Sequence, residues 1–224
     1  MKNRIMKQTP ILFSTPMVQS IQEDRKTKTR RTRGLEDLVI DTESGYVYNG
    51  KGNIQLDIHT WKQDILRFCP YGNIGDVLWV RETWGLNYFG SIQYYHLKYK
   101  SIEPKNADIL YKADVKEFDV LLEKKWKPSI HMPKAAARIW LEIIDVRVER
   151  LQDISEEDAI AEGVYLHKGT GDLYKFYIQG RDNIVTDTAI KSFASLWISI
   201  NGQESWSKNP WVWVVSFKKV NKPS

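Results

Sequence analysis

The sequence predicts an α+β fold, a curled sheet or small β-barrel with short helices at its openings, enlarged by insertions. Three observations predict it. Strand-length segments with a period of two recur along the whole chain, and between them lie short helical segments that carry their own start and stop signals. In "RIWLEIIDVRVERL" the apolar phase runs Ile139, Leu141, Ile143 and then slips to Ile144, Val146, Val148, which a β-bulge explains, and a sheet that bends there curls. With 224 residues, 42% of them hydrophobic, and nine Trp, the chain can bury one good core in a single domain.

Taken in order, "ILFSTPMVQSIQEDRK" reads as a strand leading into a helix: Ser14 or Thr15 caps, Pro16 suits the first helical position, and Met17, Val18 and Ile21 share a face. From Thr27 the alternation fits an extended segment, with Thr27, Thr29 and Arg31 on one face and Lys28, Arg30 and Thr32 on the other. Residues 34 to about 70 form a first insertion, in which "DTESGYVYNGKGN" looks like a hairpin. A turn at Gly75 and Asp76 precedes a central strand whose faces carry Val77, Trp79, Arg81 and Leu78, Val80, Glu82. Residues 85 to 128, rich in Tyr and Lys, make a second insertion.

The helix "DISEEDAIAEG" is punctuated by Ser155 at its cap, Asp158 as in a capping box, Ile154 and Ala159 as a staple, and Gly163 as its stop. In "DTAIKSFASLWISING" the residues Ile190, Phe193, Trp197 and Ile200 share one helical face that ends at Asn201 and Gly202. The last strand, "WVWVVSFKKV", sets Trp211, Trp213, Val215 and Phe217 on one side.

Composition excludes several function classes. A single Cys69 forms no internal disulfide, and four scattered histidines support no Cys/His zinc site, so neither a metal nor another cofactor is expected. No Gly-rich phosphate loop or nucleophile elbow occurs. "MKNRIMKQTPILF" lacks an apolar run of signal-peptide length, and no segment is long enough to cross a bilayer, so a soluble, cytoplasmic protein with no membrane partner is expected.

The net charge of +5 is modest, but its distribution is not: the nine positions from Arg25 to Arg33 hold six basic residues and three Thr. Arg25, Lys28, Arg30 and Arg31 are candidates for phosphate contact, so RNA or a nucleoside is the expected partner, and a solvated basic face is the plainer alternative. Arg81 and Glu82 could pair with this cluster or line the mouth of the barrel, and His131, between two prolines, is a candidate pocket-lining residue.

Four segments in order, "IQEDRKTKTRR", "GDVLWVRETW", "LQDISEEDAIAEG" and "NPWVWVVSFK", together resemble the ASCH domain family of the PUA-like superfamily, and with "WKPSIHMPKAAARI" the chain looks like its long bacteriophage and prophage members. The resemblance implies a PUA-like β-barrel, and placement in a bacterial host cell if the chain is phage or prophage encoded. Compact bacterial members are amidohydrolases that remove the acetyl group of N4-acetylcytidine with a Lys, a Thr and a Glu. The family pattern G-R-K-T-x-T aligns with "DRKTKT", so the resemblance assigns those roles to Lys26 and Thr29, and Glu162 matches the helix Glu.

The chemistry is consistent with those assignments. A lysine acts as a base near neutral pH only if its pKa falls from about 10.4 to about 7 or 8, and burial and flanking guanidinium groups both push that way. Glu162 stands in the last turn of its helix, where the dipole opposes a carboxylate's charge, as a proton donor requires. Three readings therefore remain open: hydrolysis of an N-acylated nucleoside, a binding module for RNA or a modified base without catalysis, and a metal-independent ribonuclease.

Overall fold

The computed structural model describes residues 6–49, 54–87, 108–115, 126–167, 173–177 and 184–223. Its first half runs β1 (Gln8–Leu12), α1 (Thr15–Gln22), β2 (Lys28–Arg31), β3 (Leu38–Asp41), β4 (Tyr46–Asn49), β5 (Gln55–Asp57), α2 (Trp61–Asp64), β6 (Val77–Arg81), β7 (Trp84–Asn87) and β8 (Asp108–Tyr111). The second runs β9 (Trp140–Arg150), α3 (Glu156–Ala161), β10 (Leu166–His167), β11 (Leu173–Lys175), β12 (Val185–Thr186), α4 (Ala189–Asn201) and β13 (Trp211–Val220). Much of the second predicted insertion, 88–107 and 116–125, lies outside the described residues.

The centre is a five-stranded sheet in the order β1, β6, β9, β13, β2. β1 runs parallel to β6 and the remaining neighbours are antiparallel. The architecture is mixed α+β, as expected, but among the described residues the sheet is open, with β1 and β2 as its edges, rather than closed into a barrel.

The phase slip in the longest strand is a bulge. Ser216 of β13 faces Asp145 and the next residue, Phe217, faces Ile143, so Ile144 is the extra residue, and it is exposed. The bulge returns Leu141, Ile143, Val146 and Val148 to one face, where they join Leu78, Val80, Trp213, Val215 and Phe217 in the main core. Phe13, Val18 and Ile21 close that core from the β1–α1 side. The first predicted insertion contributes as well: β3, β4 and β5 form their own sheet, and Val47, Leu56 and Trp61 enter the same core.

On the opposite face, Val212 and Val214 pack against Ala159 of α3 and Phe193 and Trp197 of α4. Ile200, expected on that buried face, is exposed, because it sits in the last turn of α4 beyond the sheet's cover. Thr15, not Pro16, is the first residue of α1, and Ser14 stands at its cap without a side-chain hydrogen bond. The capping of α3 follows its prediction, with the Asp158 N–H donating to Ser155 Oγ at 3.1 Å.

Candidate functional site

The site forms where α3 ends against the free edge of β2. After α1 the chain turns through Asp24, whose φ of +58° lies in the left-handed region, and the amides of Arg25 and Lys26 donate back to Ser20 O at 2.9 and 3.0 Å. The Thr27 N–H donates to Ala161 O at 2.8 Å, and Lys26 bridges to Glu162, so the last turn of α3 occupies part of the edge that β2 leaves unpaired. This close approach depends on Gly163. At its φ of +88° a Cβ would stand 2.8 Å from Lys26 Cβ and 3.0 Å from Ser20 Cβ, so only glycine fits.

Here Lys26, Thr29, Arg30 and Glu162 are 2%, 0%, 1% and 5% exposed. Lys26 Nζ donates to Glu162 Oε2 at 2.7 Å, to Glu162 O at 2.9 Å and to Lys28 O at 2.8 Å, which uses all three protons of an ammonium group. The other carboxylate oxygen, Oε1, accepts from Arg30 Nη1 at 3.2 Å. Burial lowers the Lys26 pKa; the Glu162 carboxylate opposes this, and Arg31 and Arg30 add to it. The direction and both causes, burial and neighbouring like charge, are the ones expected, and desolvation is the larger.

The two faces of β2 divide as the alternation predicts, and they do different work. Lys28 and Arg30 pair in register with Ser216 and Val214 and face α3. There Arg30 donates to Asp158 Oδ2 at 2.7 Å and to Glu149, Lys28 donates to Asp158, and Arg147 joins both acids. Thr29 and Arg31, paired with Val215 and Trp213, face the main core. On that side the Arg31 guanidinium and Lys26 Nζ lie 5.2 and 5.7 Å from the centroid of one ring, Phe13. The Thr29 hydroxyl is buried there without a hydrogen-bond partner among the described residues.

Glu162 and Arg30 open onto a cleft of about 300 Å³ between the β1–α1 turn, β2 and α4. Ser14 and Arg31 contribute polar atoms to it, and Met17, Phe193, Leu196, Trp197 and Ile200 make most of its apolar wall. Size and lining suit a small planar ligand held by few polar groups.

Of the residues singled out in the sequence, the structure brings Lys26, Glu162, Lys28 and Arg30 into one connected set, with Thr29 and Arg31 beside it. Arg25 donates to Gly163 O and pairs with Glu23 at the margin. Arg81, Glu82 and His131 lie elsewhere. Glu82 is paired with Arg138, not with the basic run, because β6 ends beside the 129–138 segment; Arg81 donates to Ile130 O, and His131 is exposed in that segment.

Sequence reasoning missed Asp158, Glu149 and Arg147, and the α4 wall of the cleft. Asp158 is legible as a capping residue, but its side chain points to three cations that come from β2 and β9. No local signal marks the cleft, because Ile200 falls on the same helical face as Trp197 and only the fold leaves it exposed at the cleft wall.

Among the described residues no helix is long and apolar enough to cross a membrane, and no three His, Cys, Asp or Glu side chains converge as a metal ion would require. Compared with protein-family models, curated proteins and solved structures, the chain matches none.

Proposed function

We propose that this chain is an ASCH-type protein of PUA-like fold that hydrolyses the amide of N4-acetylcytidine or a related N-acylated nucleoside. The observation that carries the reading is the contact between Lys26 and Glu162, 136 residues apart in sequence and 2.7 Å apart in space, at the wall of a cleft. Two further features support it. Asp24, where the ASCH pattern has glycine, adopts the left-handed backbone that glycine favours. The Thr29 hydroxyl has no hydrogen-bond partner among the described residues, which leaves it available to a base.

In this reading the proton that Lys26 shares with Glu162 passes to the carboxylate, leaving an amine and a carboxylic acid as base and acid. The amine takes the Thr29 proton as Oγ attacks the acyl carbon. The C–N bond then breaks as the acid protonates the departing nitrogen, and cytidine leaves. Water, deprotonated by the regenerated base, cleaves the acyl-threonine ester to acetate and free Thr29.

The basic run supports a neutral substrate over an RNA backbone. Arg25, Lys26, Lys28, Arg30 and Arg31 all donate to groups of the protein itself, so a phosphate would have to displace those contacts.

Thr29→Val tests the reading cleanly. It removes a hydroxyl without a hydrogen-bond partner among the described residues, so stability is expected to hold or rise while acetate release falls by at least about 100-fold. Lys26→Ala is expected to lose activity to a similar extent. Undiminished turnover in both variants excludes the assignment, and binding of labelled RNA that weakens steeply with salt, without turnover, would select the RNA-binding reading instead.

A further inference from the structure

The cleft beside Glu162 does not end at α4. A second cavity of about 490 Å³ adjoins it, and the two share Thr32, Trp197 and Asn201 as a common wall. Together they make one groove whose ends differ in chemistry. The inner end, next to Glu162 and Arg30, is walled chiefly by apolar side chains. The outer end, after α4, is lined by Gln203, Glu204, Ser205 and Lys208.

We infer that the outer cavity is the subsite for the sugar of a nucleoside whose acylated base occupies the inner cleft, with Trp197 at the junction and Glu204 recognising ribose hydroxyls. The inference rests on the hydrolase reading for the orientation of the base, and three observations carry it. Trp197, 7% exposed, is common to both cavities, and its indole N–H is buried without a partner among the described residues, so an acceptor supplied by a ligand at the junction would satisfy it. A planar base suits the inner end, where Phe193 and Trp197 stand with ring centroids 6.1 Å apart.

At the outer end Glu204 pairs with Lys208 at 3.4 Å, and both side chains are well exposed. A carboxylate there accepts hydrogen bonds from a diol and repels a phosphate, so the groove selects a nucleoside over a nucleotide. Gly202 makes this possible by ending α4 at a φ of +93°, which turns the chain out of the helix and into the polar loop.

The test compares N4-acetylcytidine, its 5′-monophosphate and the free base N4-acetylcytosine as substrates of the full chain, in the wild type, Glu204→Gln and Trp197→Phe. Wild type is expected to prefer the nucleoside to both others in kcat/KM. Each variant should shrink the nucleoside-to-base preference roughly 3- to 10-fold, the effect of one lost hydrogen bond, and Glu204→Gln should also narrow discrimination against the monophosphate. Equal kcat/KM for nucleoside and base in the wild type, or a preference untouched by both variants, overturns the subsite. Calorimetric binding of cytidine and cytosine separates the two readings. If no acylated compound turns over yet Glu204→Gln weakens cytidine binding and not cytosine binding, the subsite stands and the hydrolase reading falls; equal binding of both ligands in all three proteins removes the subsite.

Discussion

Glu162 and Glu82 are both buried carboxylates held by arginine, yet their surroundings differ in kind. Glu82 presents its two oxygens to one guanidinium, Arg138, at 2.9 and 3.0 Å. That guanidinium lies 3.7 Å from the centroid of the Tyr111 ring and is shared with Asp114. Burial raises the Glu82 pKa and the Arg138 charge pulls it back, so the set is closed, a planar fork matched to a planar fork. Glu162 instead divides its oxygens between Arg30 and Lys26, and it opens onto a cleft. A lysine can give up its proton where an arginine cannot. A buried ion pair is therefore weak evidence of a site; what distinguishes this one is a lysine among the partners of the carboxylate and open space beside it.

The largest effects are expected from removing each charge. On the hydrolase reading, Glu162→Gln should cut amide hydrolysis at least about 100-fold, since in that reading it removes the acceptor and donor of the Lys26 proton. Glu82→Gln should leave the activity of the folded protein within a fewfold of wild type but lower its stability by about 3 kcal/mol, because it strands a guanidinium that is only partly compensated by Asp114. Acetate release and urea denaturation measured on both variants decide the matter. Loss of activity in Glu82→Gln equal to that in Glu162→Gln would erase the distinction between the two carboxylates.

How much of this contrast is legible in the sequence follows from what a periodic pattern can encode. Period and punctuation reveal the bulge at Ile144, the Ser155 cap and the two faces of β2 and β13, because each depends on residues close in the chain. Partners are a different matter. Arg30 meets Glu149 and Asp158 across 119 and 128 residues, and nothing local separates a basic residue destined for a buried network from one facing solvent. The same limit put Arg81, Glu82 and His131 among the candidates: charge on a central strand requires a partner, but the pattern does not say that Arg138 supplies it. Lys26, Thr29 and Glu162 were legible only through resemblance. Gly163 reads as a helix stop, and its second role, admitting Lys26 against the chain, appears only when β2 and α3 are brought together.

That second role predicts an intermediate effect. Gly163→Ala places a methyl group within 2.8 Å of Lys26 Cβ at a backbone angle that L-residues resist, whereas Gly202→Ala, at a similar positive φ, meets nothing within 4 Å. Strain alone should cost each about 1 kcal/mol, and the collision should bring Gly163→Ala to roughly 2 to 3 kcal/mol with a parallel loss of activity. Equal destabilisation of the two variants would mean that the approach of α3 to β2 is not tight.

The smallest effect concerns the network behind Glu162. Burial works against ionisation of Asp158, but hydrogen bonds from Lys28 and Arg30 and the charges of Arg147 and Arg30 outweigh it and hold its pKa at about 2. A carboxylate depressed in the folded state contributes stability that is fully present above its unfolded value, about 3.9, and lost as pH falls towards the folded value. Allowing for solvent around the network, the contribution is about 1 to 2 kcal/mol. Asp158→Asn cannot titrate, so wild type should lose more stability than the variant between pH 6 and pH 3 in urea denaturation, by about half of that contribution, roughly 0.5 to 1 kcal/mol, the other acids titrating alike in both. Parallel pH dependence in the two proteins would show that Asp158 is not the counter-charge of Arg30, and that Glu149 alone holds the arginine against Glu162.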